Sequence, residues 1–469
     1  MVRTRKQFGL WTLTFLVIAN MVGAGVFTTS GFAMGDLHSP FLVVTAWVVA
    51  GLIALAGAFS YGQLIRCMPE SGGEYLFLSR AFHPMVGFIA GWVSMFAGFT
   101  AAIAVAALAL ESYALPDSVA EAIGLPRGSV AILVVAVAGL MHGIRVKVGA
   151  HAQNGAVLLK LLLLVAFLIF ALLKLRPGQV QNDLDPLEGT GLAVAFSRQL
   201  MWIAFSYMGF NAAVYIADEV PDAKSKIPAA LLLGTLIVTV LYVLLNFVFV
   251  YSADSSVIMG SFDKVAAVSA ESLGGAWFRN LFTIIISIAL FTSVTSMMMA
   301  APRVYAKMAT EGMMPSLFSV QNETPHYAIL FQVFLASLII CFSTLEGLLG
   351  YLGITLSLCA AASVGSLFLP QQRKGQSLAS IALLAPAFYV GATLLAVIMG
   401  CLYHPKGQGS IFAAFLTVSA GCMLYLSRKP WSRIRSSEWV PIGFAIGLAF
   451  LINLLALGFL FFTMTMDIP

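Results

Sequence analysis

Ile18-Ala19-Asn20-Met21-Val22-Gly23-Ala24-Gly25-Val26-Phe27 lies in the middle of an apolar segment that runs from Phe8 to Met34. The segment is long enough to cross a bilayer, yet its centre carries two glycines, which loosen helical packing and admit non-helical geometry. Five apolar segments later a second soft spot follows, Phe205-Ser206-Tyr207-Met208-Gly209-Phe210-Asn211. At membrane depth a broken helix is tolerated only where its freed N–H and C=O groups meet protein, water or a solute. Paired breaks at matching places in two halves of a chain point to a transporter's binding site. A lone Gly-Ala-Gly has another reading, close packing between helices; the second break tips the balance toward a site.

Working outward, the composition gives the class. Of 469 residues, 60% are hydrophobic and only 10% are charged, where a soluble chain carries about 25% charged residues. Mean hydropathy is +0.96, and apolar runs of span length recur from end to end, as in a polytopic all-α membrane protein. Thirteen spans are expected, near 9–34, 40–66, 85–112, 128–145, 152–174, 192–217, 227–251, 277–303, 327–344, 347–369, 379–402, 410–427 and 440–463. The net charge of +5 does not indicate nucleic acid, because the charges sit between the spans. With the N-terminus inside, 17 of the 25 Lys and Arg residues fall in inner loops, among them Arg3, Arg5, Lys6, Arg145, Lys147, Arg303 and Lys307. That asymmetry sets the expected orientation, N-terminus cytoplasmic and Pro469 outside. The outer connections 174–191 and 252–276 read as covers over the outer mouth, and 304–326 as an inner loop with a short interfacial helix. Asn322-Glu323-Thr324 matches a glycosylation sequon but falls on the inner side.

Enzyme chemistry finds no foothold. The five cysteines are scattered without CxxC spacing, the six histidines form no metal-spaced cluster, and GxSxG, HExxH and GxxxxGK[ST] are absent. No cofactor or metal is expected. A channel would show a repeated filter motif or charged rings, and neither is visible.

Four stretches carry a resemblance. They are Ile18 to Phe27 with Gly31, then Ser60-Tyr61-Gly62-Gln63-Leu64 with Pro69-Glu70-Ser71-Gly72-Gly73-Glu74-Tyr75. The third is the sixth span with Ala217-Asp218-Glu219-Val220-Pro221 and Lys226-Ile227-Pro228, and the fourth Arg303-Val304-Tyr305-Ala306-Lys307-Met308 with Glu311-Gly312-Met313-Met314-Pro315, then Thr324-Pro325. In this order and spacing, across about residues 8–370, the chain resembles the amino acid–polyamine–organocation (APC) family of amino acid permeases. The resemblance implies a five-plus-five inverted-repeat, leucine-transporter-like core of residues 1–370, with repeats 8–175 and 190–370 and spans 1 and 6 unwound. Residues 371–469 would add further helices, and since relatives commonly stop after twelve spans, 440–463 is a candidate oligomer or partner contact.

An amino acid zwitterion needs donors for its carboxylate and acceptors for its ammonium, where charged side chains are expensive. Half-helix N-termini and unwound carbonyls supply both. By the family's pattern, the amides of Ala24 and Gly25 hold the carboxylate, and the carbonyls of Met21, Phe205 and Met208 hold the ammonium. Val22, Gly23, Ser206 and Gly209 complete the expected substrate site, with Phe205 and Tyr207 as candidate gates. Glycine at 23 and 25 is expected to let the ligand approach the backbone closely.

Lys160 stands in Leu158-Leu159-Lys160-Leu161-Leu162, about eight residues into the fifth span, or roughly 12 Å deep at 1.5 Å per residue. At that depth a lysine needs a partner or a task, unless it snorkels to the inner face. In proteins similar to this one a fifth-span lysine replaces a sodium ion, bridges spans 1, 5 and 8, and in some members carries the coupled proton. A permanently charged structural lysine in an exchanger fits the sequence equally. Weaker candidates are Trp92 and Ser293 to Ser296 facing substrate, Arg198 snorkelling or drawing a carboxylate inward, and Glu219 as an inner clasp. The expected function is secondary-active amino acid transport across the cytoplasmic membrane by alternating access. Proton symport is the first reading, amino acid exchange the second, and a polyamine or cationic amino acid carrier a third. No acidic side chain is evident near the breaks, which favours neutral substrates; Ala24, where some relatives carry a hydroxyl, puts more weight on backbone amides.

Overall fold

The computed structural model describes residues 8–428 apart from 116–121, 123, 145–148, 177–180, 183, 186–188, 320–324, 344, 371–379 and 403–407. The expected thirteenth span at 440–463 and the sequon at 322–324 lie outside the described residues.

Where the apolar runs are long the chain is helical, and no strand occurs among the described residues. Satisfying every backbone group internally leaves a lipid-embedded segment few other choices. The helices are α1 Leu10–Met21, α2 Gly25–Leu37, α3 Pro40–Cys67, α4 Glu74–Ala81, α5 Pro84–Ala114, α6 Ser129–Ile144 and α7 Gly149–Lys174. They continue with α8 Gly189–Tyr207, α9 Ala223–Val250, α10 Ser255–Gly260, α11 Val265–Thr310, α12 His326–Phe342, α13 Leu345–Gly365, α14 Leu384–Leu402 and α15 Gln408–Arg428. Among the described residues, nine helical segments are long and apolar enough to cross a membrane, and three shorter apolar helices accompany them. All twelve expected spans before residue 428 fall on these segments. This is a multi-pass membrane protein.

Both soft spots are breaks. The first span is split between α1 and α2 at Val22–Ala24. The sixth leaves α-helical geometry after Tyr207, turns through Met208–Asn211 and resumes as a 3-10 helix, Ala212–Glu219. α3 packs along α9, and α1 lies against α9, α11 and α7, so the broken spans are enclosed by unbroken ones.

The segment 252–276 departs from the expected loop. α10 and a 3-10 turn at Phe262–Lys264 lead into α11, which begins at Val265 and is interrupted only at Gly275, whose φ is 72°. No proline interrupts Ser255–Ala276, so short helices satisfy the backbone here. In place of the expected loop, Phe262 abuts Gly31 of α2 and rests its ring against Phe32. The segment 304–326 likewise stays helical to Thr310, and where an interfacial helix was expected there is a 3-10 turn, Ser316–Phe318.

Candidate functional site

The two breaks interlock through glycine. A side chain on Gly25 would stand 2.8 Å from Ser206 Cβ and 3.0 Å from Ser206 Cα. Gly209, at a φ of 98°, turns its bare face onto the backbone of Asn20, where a Cβ would lie 2.8 Å from the carbonyl carbon. Each break is thus the surface on which the other packs, and only glycine allows the approach. The missing side chain of Gly25 makes room for Ser206, as close helix packing requires, while Gly25 also lines the cavity between the breaks.

Hydrogen bonds from neighbouring helices hold the breaks. Tyr242 of α9 donates to the Met21 carbonyl at 2.5 Å and to the Ser206 carbonyl at 3.2 Å, bridging both. Asn20 donates to Leu16 O at 2.8 Å and to Ser296 Oγ at 2.9 Å, tying α1 to α11. Lys160, fully buried, donates through Nζ to the Val22 carbonyl at 3.0 Å. Snorkelling is excluded: the ammonium is spent on the last turn of α1, where the helix dipole presents its negative end. The contact joins spans 1 and 5.

A cavity of about 90 Å³ opens between the breaks, α5, α11 and α13. Of the nine expected substrate residues, Met21, Gly23, Ala24, Gly25, Phe205, Ser206, Met208 and Gly209 line it. Val22 does not; it is buried, and its carbonyl serves Lys160. Tyr207 lies outside the lining as well, with its hydroxyl on Trp47 O at 2.9 Å and its ring against Trp47 and Tyr242. The expected gate Tyr207 is therefore a packing residue in this conformation, whereas Phe205 faces the cavity.

The donors and acceptors sort themselves by geometry. α2 starts at Gly25, and first-turn amides of a helix have no intrahelical acceptor, so this end of the cavity suits an anion. The Ser206 and Ser293 hydroxyls are buried without a partner, one beside Gly25 and the other 3.3 Å from where a Gly23 Cβ would sit. The Met21 carbonyl already accepts from Tyr242 and from the Gly23 N–H at 2.8 Å, which fills both lone pairs. The Phe205 carbonyl accepts the Met208 N–H at 2.9 Å and keeps one lone pair.

Two contributions escaped the sequence reading. Ser94–Ala101 of α5 is a π-helical stretch, with the Thr100 hydroxyl on Met95 O at 2.6 Å, and its Ser94, Gly98 and Phe99 line the cavity. Such bulges often mark functional sites, but nothing in an unbroken apolar run announces one. The other is Glu74, which lines the cavity at 4% exposure. The ground for expecting neutral substrates, the absence of an acid near the breaks, is therefore gone. Glu74 belongs to the quoted Gly72-Gly73-Glu74-Tyr75 stretch, and in the fold its carboxylate meets Asn211 and Tyr215 of the sixth span.

The weaker candidates divide. Trp92 stacks on Phe88, packs on Phe96 and stays out of the lining. Arg198 neither snorkels nor waits for substrate, but pairs with Asp36 at 2.7 Å. Glu219 takes Arg303 Nε at 3.0 Å and, through its carbonyl, the Phe8 N–H at 3.5 Å. Beside this clasp the Asp218 N–H reaches Ser71 Oγ at 2.9 Å, and Tyr75 donates to Glu311, itself paired with Lys307 at 3.5 Å. Burial, and then the Glu311 carboxylate, hold the Tyr75 phenol well above its usual pKa.

The chain is similar to known amino acid transporters. The amino acid permease family model matches residues 8–467. The human (Homo sapiens) cystine/glutamate transporter is 25% identical over 456 residues, 93% of this chain and 89% of its own length. The large neutral amino acids transporter small subunit 2 of Oryctolagus cuniculus is 26% identical over 369 residues, covering 75% of this chain and 67% of that one. The serine/threonine exchanger SteT of Bacillus subtilis (strain 168) is 24% identical over 415 residues, 85% of this chain and 93% of its own.

Proposed function

The chain belongs to the amino acid permease family, and from that premise we propose how it works as an amino acid transporter. The cavity between the breaks is the substrate site. The amides at the start of α2, with the Ser206 and Ser293 hydroxyls beside them, receive the carboxylate, and the free lone pair of the Phe205 carbonyl receives the ammonium. Phe205 closes over the bound zwitterion. Transport is secondary-active and runs by alternating access, the half-helices pivoting at Val22–Ala24 and Met208–Asn211.

The core comprises repeats 8–175 and 190–370, with the remaining helices at its side. The protein sits in the cytoplasmic membrane with its N-terminus inside, which puts the Glu219–Arg303 clasp at the inner mouth.

The observation that carries the coupling is the buried Lys160–Val22 contact. A buried lysine ligating the broken helix gives a proton a direct hold on the break, because its loss removes the charge from that bond. Proton symport follows as the first reading. Exchange is the second, favoured by the similarity to a serine/threonine exchanger, with Lys160 then a fixed strut. Purified protein in liposomes decides between them. Symport predicts accumulation of labelled amino acid into empty vesicles under an imposed inward proton gradient. Exchange predicts uptake only into vesicles preloaded with amino acid, and no amino acid movement in either arm overturns both.

A further inference from the structure

Glu74 is the least explained charge in the cavity wall. Three donors from two other elements converge on its carboxylate. Tyr61 of α3 reaches Oε1 at 2.7 Å, Tyr215 of the 3-10 half-helix reaches Oε2 at 2.6 Å, and Asn211 donates to Oε1. All three are uncharged, and among the described residues no lysine, arginine or histidine forms an ion pair with Glu74. A carboxylate offers about four acceptor positions, so it retains room for one more donor.

Its surroundings say what that donor should be. Gly98, Phe99, Leu356 and Cys359 line the same cavity with no charge among them. The lining beside Gly23–Gly25 offers backbone amides and serine hydroxyls, and Glu74, hydrogen-bonded to Asn211 and Tyr215, adds another polar group to the same lining. A buried carboxylate calls for a countercharge, and among the described residues none is paired with it.

We propose that Glu74 sets the side-chain preference of this cavity, its carboxylate receiving the positive group at the tip of an aliphatic side chain. The ligand class is the cationic amino acids, with the α-carboxylate and α-ammonium at the breaks and the methylene stem along Phe99 and Leu356. This rests on the reading of the cavity as the amino acid site. An apolar side chain closing onto Glu74 would strip its remaining hydration and return nothing, so selectivity comes as much from rejection as from attraction.

The test is uptake by purified protein in liposomes, with labelled lysine, ornithine, leucine and alanine offered separately and in competition. Wild type is expected to take lysine and ornithine about tenfold or more ahead of leucine, the range of one charged hydrogen bond. Glu74→Gln should collapse that ratio by about tenfold, and Glu74→Asp, which keeps the charge, should retain most of it. A wild type in which leucine outcompetes lysine, or an E74Q ratio equal to wild type, overturns the proposal while leaving amino acid transport standing. Absence of uptake for every amino acid instead overturns the underlying site. Should E74Q fail to fold, the wild-type competition decides alone.

Discussion

Replacing Lys160 by methionine should abolish proton-driven accumulation while leaving the fold close to its original stability. Burying a lysine near the bilayer centre costs about 2.5–3.5 kcal/mol. The charged hydrogen bond to Val22 O, 3.0 Å long, returns roughly 1.5–3 kcal/mol. Methionine keeps an unbranched stem of similar length, so the net change lies between a loss of about 0.5 and a gain of about 2 kcal/mol. Alanine is the poorer probe, because the void left by a truncated buried side chain costs about 2–5 kcal/mol and confuses folding with function. The functional effect has a scale of its own. With one proton per substrate, a one-unit pH gradient supports about tenfold accumulation, since 1.4 kcal/mol is a factor of ten. Wild type in liposomes should approach that ratio and Lys160→Met should only equilibrate, with the melting temperature measured on the same preparation. Tenfold accumulation by a well-folded Lys160→Met protein would show that the lysine only packs.

Other substitutions test the remaining geometry. Gly25→Val forces a side chain into Ser206 and should cost about 1–3 kcal/mol by overpacking, with loss of the thermal stabilisation substrate gives wild type; equal stabilisation would place the ligand elsewhere. Glu219→Gln breaks a partly exposed ion pair with Arg303 worth about 1 kcal/mol, so stability should hold while the inner mouth opens more often. Cys359 in the cavity lining should then react faster with a maleimide, read by site-resolved mass spectrometry, and substrate should protect it; an unchanged rate refutes the clasp. Tyr75→Phe should lower stability by about 1 kcal/mol after solvent screening. Because the folded Tyr75 pKa is raised, the bond contributes fully below the unfolded value near 10 and fades as pH climbs through the folded one. The melting difference between wild type and Tyr75→Phe should thus be constant from about pH 7 to 9, and a difference vanishing within that window refutes the assignment.

How far the sequence could be read depended on the range of each interaction. Span positions follow from runs of contiguous apolar residues, and the breaks from glycine and polar residues inside them, so α1/α2 and the Met208–Asn211 turn were legible residue by residue. Lys160 declared itself by depth alone, because a charge in such a run has few destinations. The contact of Gly25 with Ser206 was not legible, because a glycine next to a ligand and a glycine next to a serine look the same in one dimension. Tyr207 borders the break in sequence, yet its side chain leaves on the Trp47 side. Helical phase at an irregular turn cannot be extrapolated from the helix before it.

The chain by itself determined a membrane protein of many helices, two of them broken, with a lysine deep in the fifth span, since these rest on local hydropathy and backbone chemistry. The folded arrangement alone decided what the breaks touch. Tyr242 lies 221 residues from Met21 and occupies its carbonyl, while Glu74 lies 137 residues from Asn211 and meets it at the cavity wall. Nothing in the local sequence at either position announces that contact. Their meaning comes from the burial that packing imposes, where a polar group must find a partner and the partner can be anywhere in the sequence.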